Sequence, residues 1–132
     1  MFDHASIRTS NVERSIAFYT ELLGLKVFGR REIKQTNAEI VFLMDQKGEG
    51  CTLELTFYRE QKKFVQPEYE ERLFDHLAFT VDNINQTVAL MHKEKVTITD
   101  EPFKLATNGP TIAFIEDPDG TLIELIERPP KG

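Results

Sequence analysis

Two histidines and two glutamates carry the clearest chemical signal in this chain: His4, Glu54, His76 and Glu124. Imidazole nitrogens and carboxylate oxygens both bind divalent ions. A set of two of each suits Zn²⁺, Ni²⁺, Co²⁺ or Fe²⁺ better than Ca²⁺, which prefers oxygen alone. Two carboxylates would also neutralise the charge of the ion. Taken singly, each residue reads as structural, since a Glu between apolar neighbours is usually an edge residue facing water. Their placement changes that reading. Phe2-Asp3-His4 returns as Phe74-Asp75-His76 at an offset of 72 residues, and Leu53-Glu54-Leu55 returns as Ile123-Glu124-Leu125 at an offset of 70. Each half therefore contributes one His and one Glu from equivalent places, which reads as one site for one divalent ion.

The elements that must position these four residues follow from the same repeat. At the offset of 72, Ile7 meets Phe79, Asn11 meets Asn83, Val12 meets Ile84 and Ile16-Ala17 meets Val88-Ala89. The chain is read as a single domain, 1–132, built from modules 1–62 and 72–132 with a linker at 63–71. In the first module a strand at His4–Thr9 precedes a helix with Val12, Ile16, Tyr19 and Leu23 at helical spacing. Ser10 and Glu13 fit a capping box there, and Gly24 sits where helices commonly stop. Strands are expected at Leu25–Phe28, Glu39–Met44 and Thr52–Tyr58, with a turn at Lys47–Gly50. The second module repeats this: strand His76–Val81, cap Asp82, helix Ile84–Lys93, and strands near Val96–Thr99, Thr111–Glu116 and Thr121–Ile126. Asp117-Pro118-Asp119-Gly120 reads as the hairpin turn between the last two. The expected class is α+β, with two tandem βαβββ modules whose curled mixed sheets surround a metal-containing cleft.

Strand alternation places Thr52, Glu54 and Thr56 on one face and Leu53, Leu55 and Phe57 on the other. By the same rule His4, Ser6 and Arg8 share a face, as do His76, Ala78 and Thr80. Glu124 shares its face with Leu122 and Ile126, costly company for an ionised carboxylate without a partner. His92, on a helix beside Lys93, Glu94 and Lys95, reads as solvated, and Cys51 as a packing residue. Composition is that of a globular protein without disordered or fibrous bias: 40% hydrophobic and 29% charged residues, with a net charge of −6. That acidity, with basic residues scattered among acids, disfavours nucleic acid. No apolar run has the length of a membrane span. With a lone cysteine and an N-terminus that has neither the basic region nor the apolar run of an export signal, the expected location is the cytoplasm.

These residues resemble glyoxalase I (lactoylglutathione lyase), within the vicinal-oxygen-chelate superfamily, over essentially the whole chain. The matching stretches are Val12-Glu13-Arg14-Ser15-Ile16-Ala17-Phe18-Tyr19 with Leu23-Gly24, Leu53-Glu54-Leu55-Thr56, His76-Leu77-Ala78-Phe79-Thr80-Val81-Asp82, and Ile112 to Gly120 followed by Ile123-Glu124-Leu125-Ile126-Glu127. The resemblance implies paired βαβββ modules in a homodimer. It implies His4, Glu54, His76 and Glu124 as ligands of one divalent ion, Ni²⁺ or Co²⁺ before Zn²⁺. Arg8 and Lys104 fall where the family binds the carboxylates of its thiol cofactor, glutathione or another small thiol. The implied reaction turns the methylglyoxal–thiol hemithioacetal into a lactoyl thioester. Glu124 would move a proton from C1 to C2, and Glu54 would hold the opposite side.

Three positions depart from the pattern of glyoxalase I. Asp75 precedes the second histidine where that family usually has Gly, and Tyr58 stands where an Asn contacts glutathione. Leu105-Ala106-Thr107-Asn108-Gly109 replaces the Gly-rich turn after the lysine. Other readings on the same frame are an epimerase, a thiol transferase or a dioxygenase. A ligand-sequestering resistance module is the reading from a different class.

Overall fold

The computed structural model describes residues 1–131. The chain divides into two compact units, Met1–Val65 and Gln66–Gly132. The first contains β1 (His4–Arg8), α1 (Val12–Ala17), β2 (Lys26–Ile33), β3 (Ala38–Met44) and β4 (Thr52–Tyr58). The second contains β5 (Leu77–Thr80), α2 (Ile84–Lys93), β6 (Ile98–Lys104), β7 (Thr111–Glu116) and β8 (Leu122–Glu127). Each unit is a four-stranded mixed sheet, in the orders β1-β4-β3-β2 and β5-β8-β7-β6. The first and last strands of each unit lie parallel, and the other pairings are antiparallel. A parallel partner needs a crossover, which the helix supplies. That closure sets the His-bearing end of one strand beside the Glu-bearing strand.

One face of each sheet forms the core. Val41, Leu43, Leu53 and Leu55 are buried in the first unit with Val12 and Tyr19, and Ala113, Ile115, Ile123 and Leu125 in the second with Ile84, Val88 and Met91. The alternation expected for Thr52–Tyr58 holds, with Leu53 and Leu55 inside.

Several local expectations are corrected. Asn11, not Ser10, caps α1, its side chain accepting from the Arg14 backbone N–H, while Ser10 accepts from the Arg14 guanidinium. Asn83, not Asp82, caps α2 by the same bond to Gln86. The Glu127 carboxylate, at the end of β8, takes the Ile84 N–H. The first helix does not run on regularly to Leu23. It widens into a π turn at Phe18–Leu22, where the Thr20 hydroxyl takes the Ile16 carbonyl that an α-helical N–H would use. The turn ends at Gly24, whose φ of 76° suits glycine.

The strands β2 and β6 are longer than, or shifted from, the expected Leu25–Phe28 and Val96–Thr99. Both are edge strands with register irregularities, and their charges and Pro102 hide the period-two apolar signal. The expected linker is also structured in part. Residues Tyr69–Glu71 form a 3₁₀ turn with a Glu68–Glu71 capping box. Gln66 donates to the Asp119 carbonyl, and Arg72 donates to Gln66.

Candidate metal centre

Strand register builds a His–Glu pair in each unit. In the first unit Ser6 lies opposite Glu54, and Phe42 of β3 flanks Glu54 from the other side. His4 therefore starts its strand one alternation away, with Nε2 3.6 Å from Glu54 Oε2. The second unit repeats the arrangement: Ala78 and Phe114 flank Glu124, and His76 Nε2 lies 4.0 Å from Glu124 Oε2. Each imidazole meets the phenyl ring of its unit edge-on, His4 with Phe42 at 5.7 Å between centroids and His76 with Phe114 at 5.6 Å.

The other imidazole nitrogen is engaged in both halves. His4 Nδ1 lies 2.6 Å from Asp3 Oδ2, and His76 Nδ1 lies 2.6 Å from Asp75 Oδ1. With Nδ1–H donating to a carboxylate, Nε2 keeps its lone pair and faces the glutamate. The hydrogen bond to Asp3, reinforced by the charges of Glu54 and Asp3, holds the His4 imidazole above its ordinary pKa.

The donor set fits a divalent ion. Two ligands each about 2.0–2.2 Å from one ion stand roughly 3–4 Å apart, the range of both His–Glu separations. An aspartate behind a ligating imidazole is the usual outer partner of such a site. The structure thus brings the four residues together as two pairs, one in each unit. Among the described residues no group of three or more His, Cys, Asp or Glu side chains suited to a metal ion is present.

Arg8 lies on the Glu54 face. Its guanidinium sits 4.7 Å above the centre of the Tyr58 ring and donates to Gln61 Oε1 at 3.0 Å. Arg8 and Tyr58 line an open hollow of about 530 Å³ together with Ser6, Ile40, Glu54 and Thr56. Lys104 ends the edge strand β6 and is exposed. It does not line the smaller hollow of about 220 Å³ beside Asp75, which Arg72, Asp100, Phe114 and Glu116 border. Cys51 is exposed rather than packed, and His92 is paired with Glu101 at 2.7 Å rather than simply solvated. Sequence reasoning passed over Asp3 and Asp75 as functional residues. The signal was present in the repeated Phe-Asp-His, where the aspartate recurs with the histidine.

Comparison with known proteins follows the same lines. The chain is 34% identical over 131 residues to a probable chloroplastic lactoylglutathione lyase of Arabidopsis thaliana, covering 96% of this chain but 35% of that relative. It thus spans about a third of that protein's length. It is 30% identical over 130 residues to the lactoylglutathione lyase of Salmonella typhimurium, covering 98% of this chain and 93% of the relative. Among solved structures, the trypanothione-dependent glyoxalase I of Leishmania major superposes with a TM-score of 0.78 at 31% identity, covering 96% of this chain and 86% of that one. The sequence profile of the glyoxalase/bleomycin resistance protein/dioxygenase superfamily matches residues 1–125, and the chain belongs to that superfamily.

Proposed function

We propose that this chain is a glyoxalase I-like isomerase that converts the hemithioacetal of methylglyoxal and a small thiol into a lactoyl thioester. The observation that carries this reading is the Asp–His–Glu arrangement built twice on equivalent strands. Similarity to lactoylglutathione lyases over nearly the full length of both chains supports it. His4, Glu54, His76 and Glu124 would be the ligands of one divalent ion, Ni²⁺ or Co²⁺ in preference to Zn²⁺. The ion would supply positive charge beside the substrate oxygens.

The side chains do the rest. Glu124 takes the proton from C1 of the hemithioacetal and returns it to C2, while Glu54 stays on the opposite side. Atoms balance without oxidant or reductant, since the reaction only relocates hydrogen. Arg8, oriented by Tyr58 and Gln61, offers a guanidinium to a carboxylate of the thiol, and Lys104 offers a second cation. A homodimer in which two copies complete each ligand set, working in the cytoplasm on a soluble thiol, is the assembly this reading favours.

The test is metal-free protein reconstituted with Ni²⁺, Co²⁺ or Zn²⁺ and assayed for thioester formation from methylglyoxal with glutathione and other thiols. Thioester formation that needs the ion is the expected result. No product with any thiol and any ion would overturn the reading. Epimerisation of a thioester substrate in its place would assign the chain to another branch of the superfamily.

A further inference from the structure

The two units match at their Asp–His–Glu residues and at the phenylalanine beside each glutamate, but not at the hydroxyl side chains near the glutamate. Thr56 Oγ1 donates to Glu54 Oε1 at 2.9 Å, and Ser6 Oγ lies 2.8 Å from Thr56 Oγ1. A threonine hydroxyl has one proton, and a carboxylate can only accept. The Thr56 proton therefore goes to Glu54, and Ser6 donates to Thr56. The result is a directed chain, Ser6 to Thr56 to Glu54, anchored by a threonine that is 6% exposed. The two carboxylate oxygens of Glu54 are divided: Oε1 belongs to Thr56, and Oε2 faces the His4 imidazole.

In the second unit Ala78 takes the place of Ser6 opposite the glutamate, and Ile126 takes the place of Thr56 two residues after it. Neither side chain has a hydroxyl. Among the described residues Glu124 accepts no side-chain hydrogen bond, and its Oε2 stands 4.0 Å from His76 Nε2.

We propose that Thr56, backed by Ser6, is a positioning residue that pins Glu54 as the stationary carboxylate of the site, and that Ala78 and Ile126 leave Glu124 free to turn. This inference rests on the isomerase reading for its chemical meaning. A proton that leaves one carbon and returns to its neighbour needs a carboxylate that can swing between them, whereas a second swinging carboxylate would work on the opposite face. The hydroxyl pair thus selects which of two otherwise equivalent glutamates moves and confines the transfer to one face of the substrate.

The first measurement needs neither metal nor turnover. Side-chain ¹³C relaxation of the glutamates in metal-free protein should show Glu54 ordered and Glu124 averaging between rotamers. Thr56→Val should bring Glu54 to the mobility of Glu124, Thr56→Ser should keep it ordered, and Ser6→Ala should fall between. Equal mobility of the two glutamates in the parent, or no response of Glu54 to Thr56→Val, overturns the proposal. The second measurement uses the reconstituted enzyme. Adding Thr56→Val to Glu124→Gln should raise thioester formation several-fold above Glu124→Gln alone, with the lactoyl configuration inverted. A further loss in the double variant, with Glu54 released in the relaxation data, also overturns it. If the relaxation pattern holds while the parent makes no thioester with any thiol, the pin stands and the isomerase reading fails.

Discussion

His76 Nδ1 lies 2.6 Å from Asp75 Oδ1, and His4 Nδ1 stands at the same 2.6 Å from Asp3. The aspartate before the second histidine is where this sequence departs from the glycine usual in glyoxalase I. Its repetition in both halves gives that departure a physical meaning. A carboxylate on Nδ1 fixes the ring orientation and the tautomer that leaves Nε2 toward the glutamate.

Removing that carboxylate should weaken metal binding without unfolding the protein, because the aspartates are exposed and the apolar faces of the sheets form their cores without them. Asp75→Ala should lower affinity for Ni²⁺ by roughly 10–100-fold, the usual scale for an outer partner of a ligating histidine. Asp75→Asn, which keeps an acceptor oxygen, should lose less. Competition against a chelator of known affinity measures both, and parent-like retention in Asp75→Ala would remove the aspartate from the site.

The Asp3–His4 bond also gives a pH dependence whose sign is set. The His4 pKa is raised in the folded chain, mainly by this bond. Its stabilising contribution is therefore full below the unfolded-state pKa and lost as pH rises through the folded one. In metal-free protein the ¹⁵N titration of His4 should have its midpoint above the ordinary histidine value, and Asp3→Asn should move it down. An unchanged midpoint in Asp3→Asn would assign the shift to another neighbour.

Gly120 closes the turn between β7 and β8 with φ of 92°, and a Cβ there would lie 1.1 Å from Gln66 Nε2. Gly120→Ala meets two costs, backbone strain of about 1–3 kcal/mol and displacement of the Gln66 side chain that bonds the Asp119 carbonyl. Its melting temperature should fall by several degrees, at roughly 3–5 °C per kcal/mol for a chain of this size. Adding Gln66→Ala should relieve the crowding alone, so recovery should be partial. Complete recovery in the double variant would mean that the positive φ carries no strain.

Much of this was legible in the chain itself. The repeat of Phe-Asp-His and of apolar-Glu-apolar located both His–Glu pairs, because strand alternation and a parallel closing strand leave little freedom in where such residues point. The bounds of α2, β4 and β7 were legible too, where apolar periodicity is strong and flanking signals are clear. The edge strands β2 and β6 were not, since Arg30, Arg31, Glu32 and Pro102 suit an edge and break the period-two apolar pattern. The helix caps fell one residue off because Ser10 and Asp82 are as good as Asn on propensity, and only backbone geometry separates them. The hydroxyl contact on Glu54 needed coordinates, since a shared face does not say which side chains touch.

Arg8 and Tyr58 give a prediction on the thiol. Arg8 is stacked over Tyr58 and tied to Gln61 on the rim of the hollow that contains Glu54. A guanidinium–carboxylate bond contributes about 1.5–3 kcal/mol, so Arg8→Ala should raise KM for the thiol adduct by roughly 10–100-fold with kcat little changed. Tyr58→Leu removes only the stacking, about 0.5–1 kcal/mol, and should raise KM by a few-fold. A drop in kcat without a change in KM would place Arg8 in the chemical step instead.

Glu124 is the residue on which the isomerase reading turns. It sits on β8 opposite Ala78 and Phe114, on the face away from the buried Ile123 and Leu125, so apolar side chains flank a carboxylate that still points toward an imidazole. Glu124→Gln keeps an oxygen and nearly the same volume while abolishing the ability to take a proton. The fold should be unchanged, much of the metal should stay bound, and activity should fall by a factor on the order of 10²–10⁴, the usual scale of general-base loss. Glu54→Gln should lose less activity and more metal, the outcome expected of a fixed ligand, and the Thr56 hydroxyl already engages Glu54 Oε1. Steady-state kinetics with metal analysis on the same samples separates the two effects. Equal losses of activity would point to two interchangeable bases, as an epimerase needs. A fully active Glu124→Gln with metal in place would sink the assignment, because among the described residues no other carboxylate in the second unit pairs with the His76 imidazole through Nε2.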